Sequence, residues 1–87
     1  MATLYEPSGR NSDYVPRNGK KFSLEELQAL VGGYIEMVRI PGDAGKRVLF
    51  VDEDGRVKGL KPNVRASHLA GQLIVGKAVL CSPKEVD

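Results

Sequence analysis

The sequence predicts an α+β fold, in which a mostly antiparallel sheet of about five to six strands packs against one well-capped helix and one short helix. Residues 21–33 contain the start, the apolar stripe and the end of a helix, and strand-like segments with turn residues between them occupy most of the rest. The 87 residues are enough for one domain with one modest core. Because strands cluster and helices are few, we expect both helices to cover one face of the sheet.

Residues 1–20 are predicted to form a hairpin at the edge of this sheet. Residues 3–7 and 14–16 resemble short strands, and the segment between them is rich in turn residues. Pro7 and Pro16 lack an N–H for a sheet hydrogen bond, which confines the pair to an edge. An exposed edge here is a candidate surface for a partner. Residues 21–87 form the body of the same domain.

The first helix is predicted over residues 23–32. Ser23 suits the N-cap, and Glu26 stands three residues later, as in a capping box. Phe22 and Leu27 have the spacing of a hydrophobic staple. Gly32 or Gly33 can end the helix in the left-handed conformation. The predicted apolar stripe consists of Leu24, Leu27, Leu30 and Val31.

Four strands and a second helix are predicted to follow. Residues 34–40 form a strand of which neither face is purely apolar, and residues 46–51 form the most hydrophobic strand. A hairpin turn at 52–55 leads to a returning strand at 56–60. Asn63 and Gly71 bound a short helix over about residues 63–70. Residues 72–81 form a long strand that Gly76 bends, and a single helical turn follows Pro83.

Composition and charge restrict the class of protein. The net charge is +2, with 28% charged and 41% hydrophobic residues, as in ordinary globular domains. We expect a cytoplasmic protein, because no apolar run is long enough to span a membrane and no secretory leader is visible. Cys81 is the single cysteine and follows an apolar run, so we expect a buried thiol rather than a nucleophile.

No residue set indicates catalysis, a metal or a cofactor. Asp52 and Asp54 resemble the start of a calcium loop, but Arg56 and Lys58 occupy the next alternate positions and would repel the cation. Glu25 and Glu26 are adjacent on a helix and point apart, so they cannot act as an acid/base pair. The prediction is therefore a non-enzymatic protein without a cofactor.

Two groups of residues are candidates for binding. Arg65 and His68 lie three residues apart on the short helix, and with Asn63 at its start they could bind a small anion such as a nucleotide. The ordinary alternative is a capped surface helix with two solvated side chains. The amino-terminal quarter is mildly basic and is a weaker candidate for nucleic acid through Arg10, Arg17, Lys20 and Lys21.

The sequence also resembles a small family of uncharacterised domains found mainly in bacteria, their phages and plasmids. The resemblance covers nearly the whole chain, including residues 4–9, 22–36, 51–55 and 74–81 and Asn63 with Ala66. It implies an accessory role, in host takeover or counter-defence, rather than housekeeping catalysis. The shared residues determine the fold, so the resemblance implies no active site.

Taken together, these features favour a small cytoplasmic module that binds another protein or itself. Its small core is one reason, since an added interface would supply stability. The first alternative is capture of a small anionic ligand, and the second is weak binding of nucleic acid.

Overall fold

The computed structural model describes residues 1–87, the whole chain. It contains five strands, two α-helices and a short 3₁₀ turn. The strands are β1 (Ala2–Tyr5), β2 (Asn11–Tyr14), β3 (Ile35–Arg39), β4 (Val48–Asp52) and β5 (Ala78–Cys81). The helices are α1 (Leu24–Val31) and α2 (Val64–Ala70), and the 3₁₀ turn covers Pro83–Glu85. The predicted α+β class is confirmed.

All five strands form one antiparallel sheet with the order β2-β1-β5-β4-β3. β1 and β2 form one hairpin, and β3 and β4 form another. β5 lies between the two hairpins and pairs with β1 on one side and β4 on the other. This order buries every residue of β4 and β5 and leaves β2 and β3 as the two edges.

The two helices lie on opposite faces of the sheet, so the prediction that both cover one face is wrong. Alternate residues of β4 show this: Val48 and Phe50 belong to the core cluster that contains α1, whereas Leu49 and Val51 belong to the cluster that contains α2. The central strands are apolar on both sides and therefore need a cover on each side. The molecule has three layers, helix, sheet and helix.

Helix α1 begins and ends as predicted. The Ser23 Oγ accepts a hydrogen bond from the Glu26 N–H at 3.2 Å, and Gly32 ends the helix in the left-handed conformation. The second half of the capping box differs, because the Glu26 carboxylate accepts from the Arg17 N–H instead. The predicted apolar stripe includes Leu24, which is 55% exposed, so Leu27 and Val31 make the main core contact of this helix.

Two of the predicted strands are displaced and one is absent. β2 occupies residues assigned to a turn, and residues 14–16 lie largely beyond it. Residues 56–60 form turns rather than a strand, because Asp52 closes the end of β4 by accepting from the Asp54 N–H and the chain then coils back. β5 begins only at Ala78, since Gly76 bends the preceding segment with a φ of +79°.

Candidate functional site

The structure removes Asn63 from the predicted anion site and leaves Arg65 and His68 on α2. Asn63 is completely buried, and its amide donates to the carbonyl oxygens of Tyr5 at 2.9 Å and Gly76 at 2.8 Å. Its Oδ1 accepts from the Ala66 N–H as the cap of α2. The guanidinium of Arg65 lies 5.8 Å from the centre of the Tyr5 ring, and His68 is exposed. Asn63 is thus a structural residue and cannot contact a ligand.

The predicted basic group lies on exposed loops. Arg10 is in the turn between β1 and β2, and Arg17, Lys20 and Lys21 are in the loop before α1. The acidic first turn of α1 adjoins this loop: Glu25 and Glu26 line the same small cavity as Arg17. These neighbouring carboxylates offset the positive charge that a nucleic acid would need.

Cys81 lies in the core, as expected. Burial, with a smaller contribution from the Glu85 carboxylate, raises the pKa of its thiol to about 11. The thiol is therefore protonated at neutral pH, and a protonated thiol is a poor nucleophile. No group of three or more His, Cys, Asp or Glu side chains is arranged to hold a metal ion. Neither helix is long or apolar enough to cross a bilayer.

The free edge of β3 is the main candidate for a functional surface. The Glu53 N–H donates to the Tyr34 carbonyl, which sets the alternation of hydrogen bonds between β3 and β4. In an antiparallel pair, alternate residues direct their N–H and C=O groups to opposite sides of the strand. The backbone groups of Ile35, Met37 and Arg39 therefore point away from β4, to the edge that has no neighbouring strand.

A groove borders this edge on the side of the sheet that α1 covers. We call it the arginine groove; its residues include Met37, Arg39, Ile40, Arg47 and Val48, and its volume is about 600 Å³. Met37 is 54% exposed there. Arg47 forms an ion pair with Asp43 at 3.2 Å, whereas Arg39 takes part in none of the three ion pairs of the protein. The groove thus combines apolar surface with one uncompensated positive charge.

A second groove borders the same edge on the α2 side. We call it the acidic groove; it has a volume of about 330 Å³ and is lined by residues that include Glu36, Val38, Glu53, Val57 and Leu73. Val57 and Leu73 are 89% and 53% exposed. Arg56 and the buried Asp52 also line this groove, so carboxylates outnumber basic groups. The two grooves have opposite charge character and flank the free edge of β3.

The other edge of the sheet has a different composition. β2 consists of Asn11, Ser12, Asp13 and Tyr14, and the Asp13 carboxylate accepts a hydrogen bond from the Thr3 hydroxyl at 2.9 Å. Short polar edge strands are one of the ways in which proteins prevent unwanted pairing. The hairpin edge that the sequence suggested as a partner surface is therefore the less apolar of the two.

A comparison with protein families finds a match over nearly the whole chain. The family model described as a domain of unknown function, DUF3846, matches residues 6–87. The chain belongs to this family. No curated protein and no solved structure matches the chain.

Sequence reasoning identified β3 but not its role. The signal was present, since residues 34–40 mix charged and apolar side chains on both faces. Such a mixture is typical of an edge strand, because a central strand of this sheet is buried on both faces. The predicted position of the hairpin of residues 1–20 at a sheet edge is confirmed, because β2 is one of the two edge strands. That β3 forms the other edge could not be derived, because strand order does not follow from the sequence alone.

Proposed function

We propose that this protein is a binding module that captures an extended segment of another protein by adding it as a strand to the edge of β3. The observation that supports this most directly is an edge strand with one free side, which lies between two apolar-lined grooves. Strand addition supplies affinity through main-chain hydrogen bonds and specificity through alternate side chains. The proposed activity uses no catalytic group, and an accessory role in phage or plasmid biology remains a prediction from the resemblance.

The charge pattern of β3 favours a different protein, rather than a second copy of this chain, as the binding partner. In an antiparallel pair related by a two-fold axis, each residue faces a partner residue on the same side of the sheet. Glu36 shares its side of β3 with Tyr34 and Val38, none of which is basic. Arg39 shares its side with Ile35 and Met37, none of which is acidic. No such self-pairing register places Glu36 opposite Arg39.

The charges on the two sides of β3 also predict which side chains the bound segment would carry. Alternate side chains of an added strand lie over alternate grooves. On the α1 side, an acidic residue would complement Arg39, with apolar residues against Met37. On the α2 side, a basic residue would complement Glu36, with apolar residues against Val57 and Leu73. The expected ligand is an extended peptide with an acidic and a basic residue on opposite faces and apolar residues between them.

A selection from a library of random displayed peptides tests the proposal. We expect enriched peptides to show this alternating pattern, and Arg39→Glu to weaken their binding by about tenfold or more, which corresponds to about 1.4 kcal/mol. Arg10→Glu is the matched control, because it makes the same charge change at an exposed position away from β3. Binding to the control should remain within about twofold of wild type.

A compensating change makes the test specific for the contact. Replacing the acidic residue of a selected peptide by lysine should restore binding to Arg39→Glu and weaken binding to the wild type. Failure to enrich any patterned peptide would contradict the proposal. Equal losses of peptide affinity in Arg39→Glu and Arg10→Glu would also contradict it. A wild-type dimer in sedimentation equilibrium would do so too, if Met37→Asp dissociates that dimer.

A further inference from the structure

A third groove, separate from the β3 edge, collects three lysines from distant parts of the chain. Lys58 comes from the loop after β4, Lys61 from the segment before α2, and Lys77 from the residue before β5. The Gly76 N–H donates to the Lys61 carbonyl at 2.8 Å, and Pro62 forms a bridge with Val75. These main-chain contacts bring the two segments, and with them Lys61 and Lys77, to one groove.

The only carboxylate that lines this lysine groove is already neutralised. Asp52 accepts a hydrogen bond from the Lys58 Nζ at 2.7 Å, and its side chain is 2% exposed. Asp52 also accepts from the Asp54 N–H at 2.8 Å. Lys61 and Lys77 form no ion pair with any residue of the protein. Two positive charges at the groove therefore remain without a partner.

The shape of the groove suits a small ligand. Its volume is about 350 Å³, which falls within the range of small-molecule sites. Pro7, Val31 and Leu60 provide apolar wall, and Gly32 and Gly76 add no side chain to fill the space.

Close packing fixes the ion pair at the base of the groove. A Cβ atom on Gly33 would lie 2.6 Å from the Lys58 Nζ and 2.9 Å from the Asp52 Oδ2. A side chain at residue 33 would therefore force the ends of the Lys58 and Asp52 side chains to move. The 2.7 Å hydrogen bond to Asp52 holds the Lys58 Nζ in place before a ligand arrives.

We propose that the groove formed by Lys58, Lys61 and Lys77 binds a small phosphate ester of about mononucleotide size. A phosphate monoester carries close to two negative charges at neutral pH, which matches the two unpaired ammonium groups. Lysine is a common phosphate ligand and acts there as a flexible point charge. The remainder of the ester would contact Pro7, Val31 and Leu60. This proposal goes beyond strand capture and does not depend on it.

Titration of the ¹⁵N-labelled protein with adenosine monophosphate tests the site. We expect shifts of the backbone amides of Lys58, Lys61 and Lys77, and weaker saturable shifts of the same amides with inorganic phosphate. Adenosine, which has no phosphate, should leave these amides unchanged. In the double variant Lys61→Gln/Lys77→Gln the affinity should fall by about tenfold or more. Lys58 is retained because its removal would leave the buried Asp52 carboxylate without its positively charged partner.

The double variant Lys20→Gln/Lys21→Gln is the matched control, since it removes the same charge from an exposed loop. It should bind adenosine monophosphate within about twofold of the wild type. Melting temperatures of both double variants should show that each is folded. The proposal is overturned if no amide shifts, if adenosine acts as well as its phosphate, or if both double variants lose affinity equally. The proposal is also overturned if an oligonucleotide binds more tightly than adenosine monophosphate and the Lys20→Gln/Lys21→Gln variant abolishes that binding.

Discussion

Asn63 has no exposed surface, and its side chain joins three segments: β1 through Tyr5, the bend at Gly76 and the first turn of α2. Its role as the cap of α2 could be predicted from sequence, because a short amide before a helix is a common cap. Its two longer-range hydrogen bonds could not be predicted from sequence, since they depend on how β1 and the segment before β5 come together. The same burial removes Asn63 from the predicted anion site.

At this position we expect Asn63→Ala to lower the free energy of unfolding by about 2–3 kcal/mol, because it removes a helix cap and two buried hydrogen bonds. Urea unfolding measures the change. Asn18→Ala is the control: the Asn18 side chain also accepts two backbone hydrogen bonds, from Lys20 and Lys21, but is exposed. The control should cost about 1 kcal/mol or less. Equal costs would contradict the buried network.

Asp52 gives a prediction for pH. Burial alone would raise the pKa of this carboxyl, but hydrogen bonds from Lys58 and from the Asp54 N–H outweigh it and hold the pKa below its ordinary value of 3.8. A depressed folded-state pKa stabilises the protein fully above 3.8, and the contribution declines as the pH falls toward the lower folded value. Urea unfolding across this range should therefore show a steeper loss of stability in the wild type than in Asp52→Asn.

The control for the ion pair is Asp13→Asn, which also removes one carboxylate, but at an exposed position on β2. At neutral pH, Asp52→Asn should be the less stable of the two variants, because Lys58 loses its partner. Parallel profiles for Asp52→Asn and the wild type would show that this ion pair does not stabilise the fold.

At the scale of elements, α1 could be predicted almost to the residue, because its start and end depend on local chemistry. Ser23 and Gly32 act within one turn of the chain, so neighbouring residues decide their roles. The segment 56–60 could not be predicted in this way. Its alternating pattern resembles a strand, but β4 already has β3 and β5 as neighbours, which leaves no free edge of β4 with which the returning segment could form a hairpin.

The cap of helix α1 provides a test of how much this local chemistry contributes to stability. We expect Ser23→Ala to reduce the free energy of unfolding by about 1 kcal/mol, since the Glu26 N–H loses its acceptor. Thermal or urea unfolding measures the loss. Ser8→Ala is the control, because the Ser8 hydroxyl accepts only a 3.3 Å hydrogen bond in an exposed turn. Its effect should stay within about 0.5 kcal/mol. A neutral Ser23→Ala would mean that α1 does not depend on its cap.

At the scale of the whole molecule, the order of the strands decides which surfaces are free. β5 is last in sequence but lies between the two hairpins, so it converts two separate ribbons into one sheet. This placement exposes β3 at one edge and brings Lys61 and Lys77 to the lysine groove. The α+β class could be predicted from local patterns. The β3 edge and the lysine groove could not be predicted, because both depend on pairing between residues distant in sequence.

Amide hydrogen exchange with a bound, selected peptide tests the strand-capture proposal most directly. We expect the exchange of the Met37 and Arg39 amides to slow on binding, because their N–H groups would then donate to the added strand. The Asn11 and Asp13 amides of β2 are the internal control and should exchange at unchanged rates. Protection confined to β2, or to surfaces away from β3, would contradict the proposal.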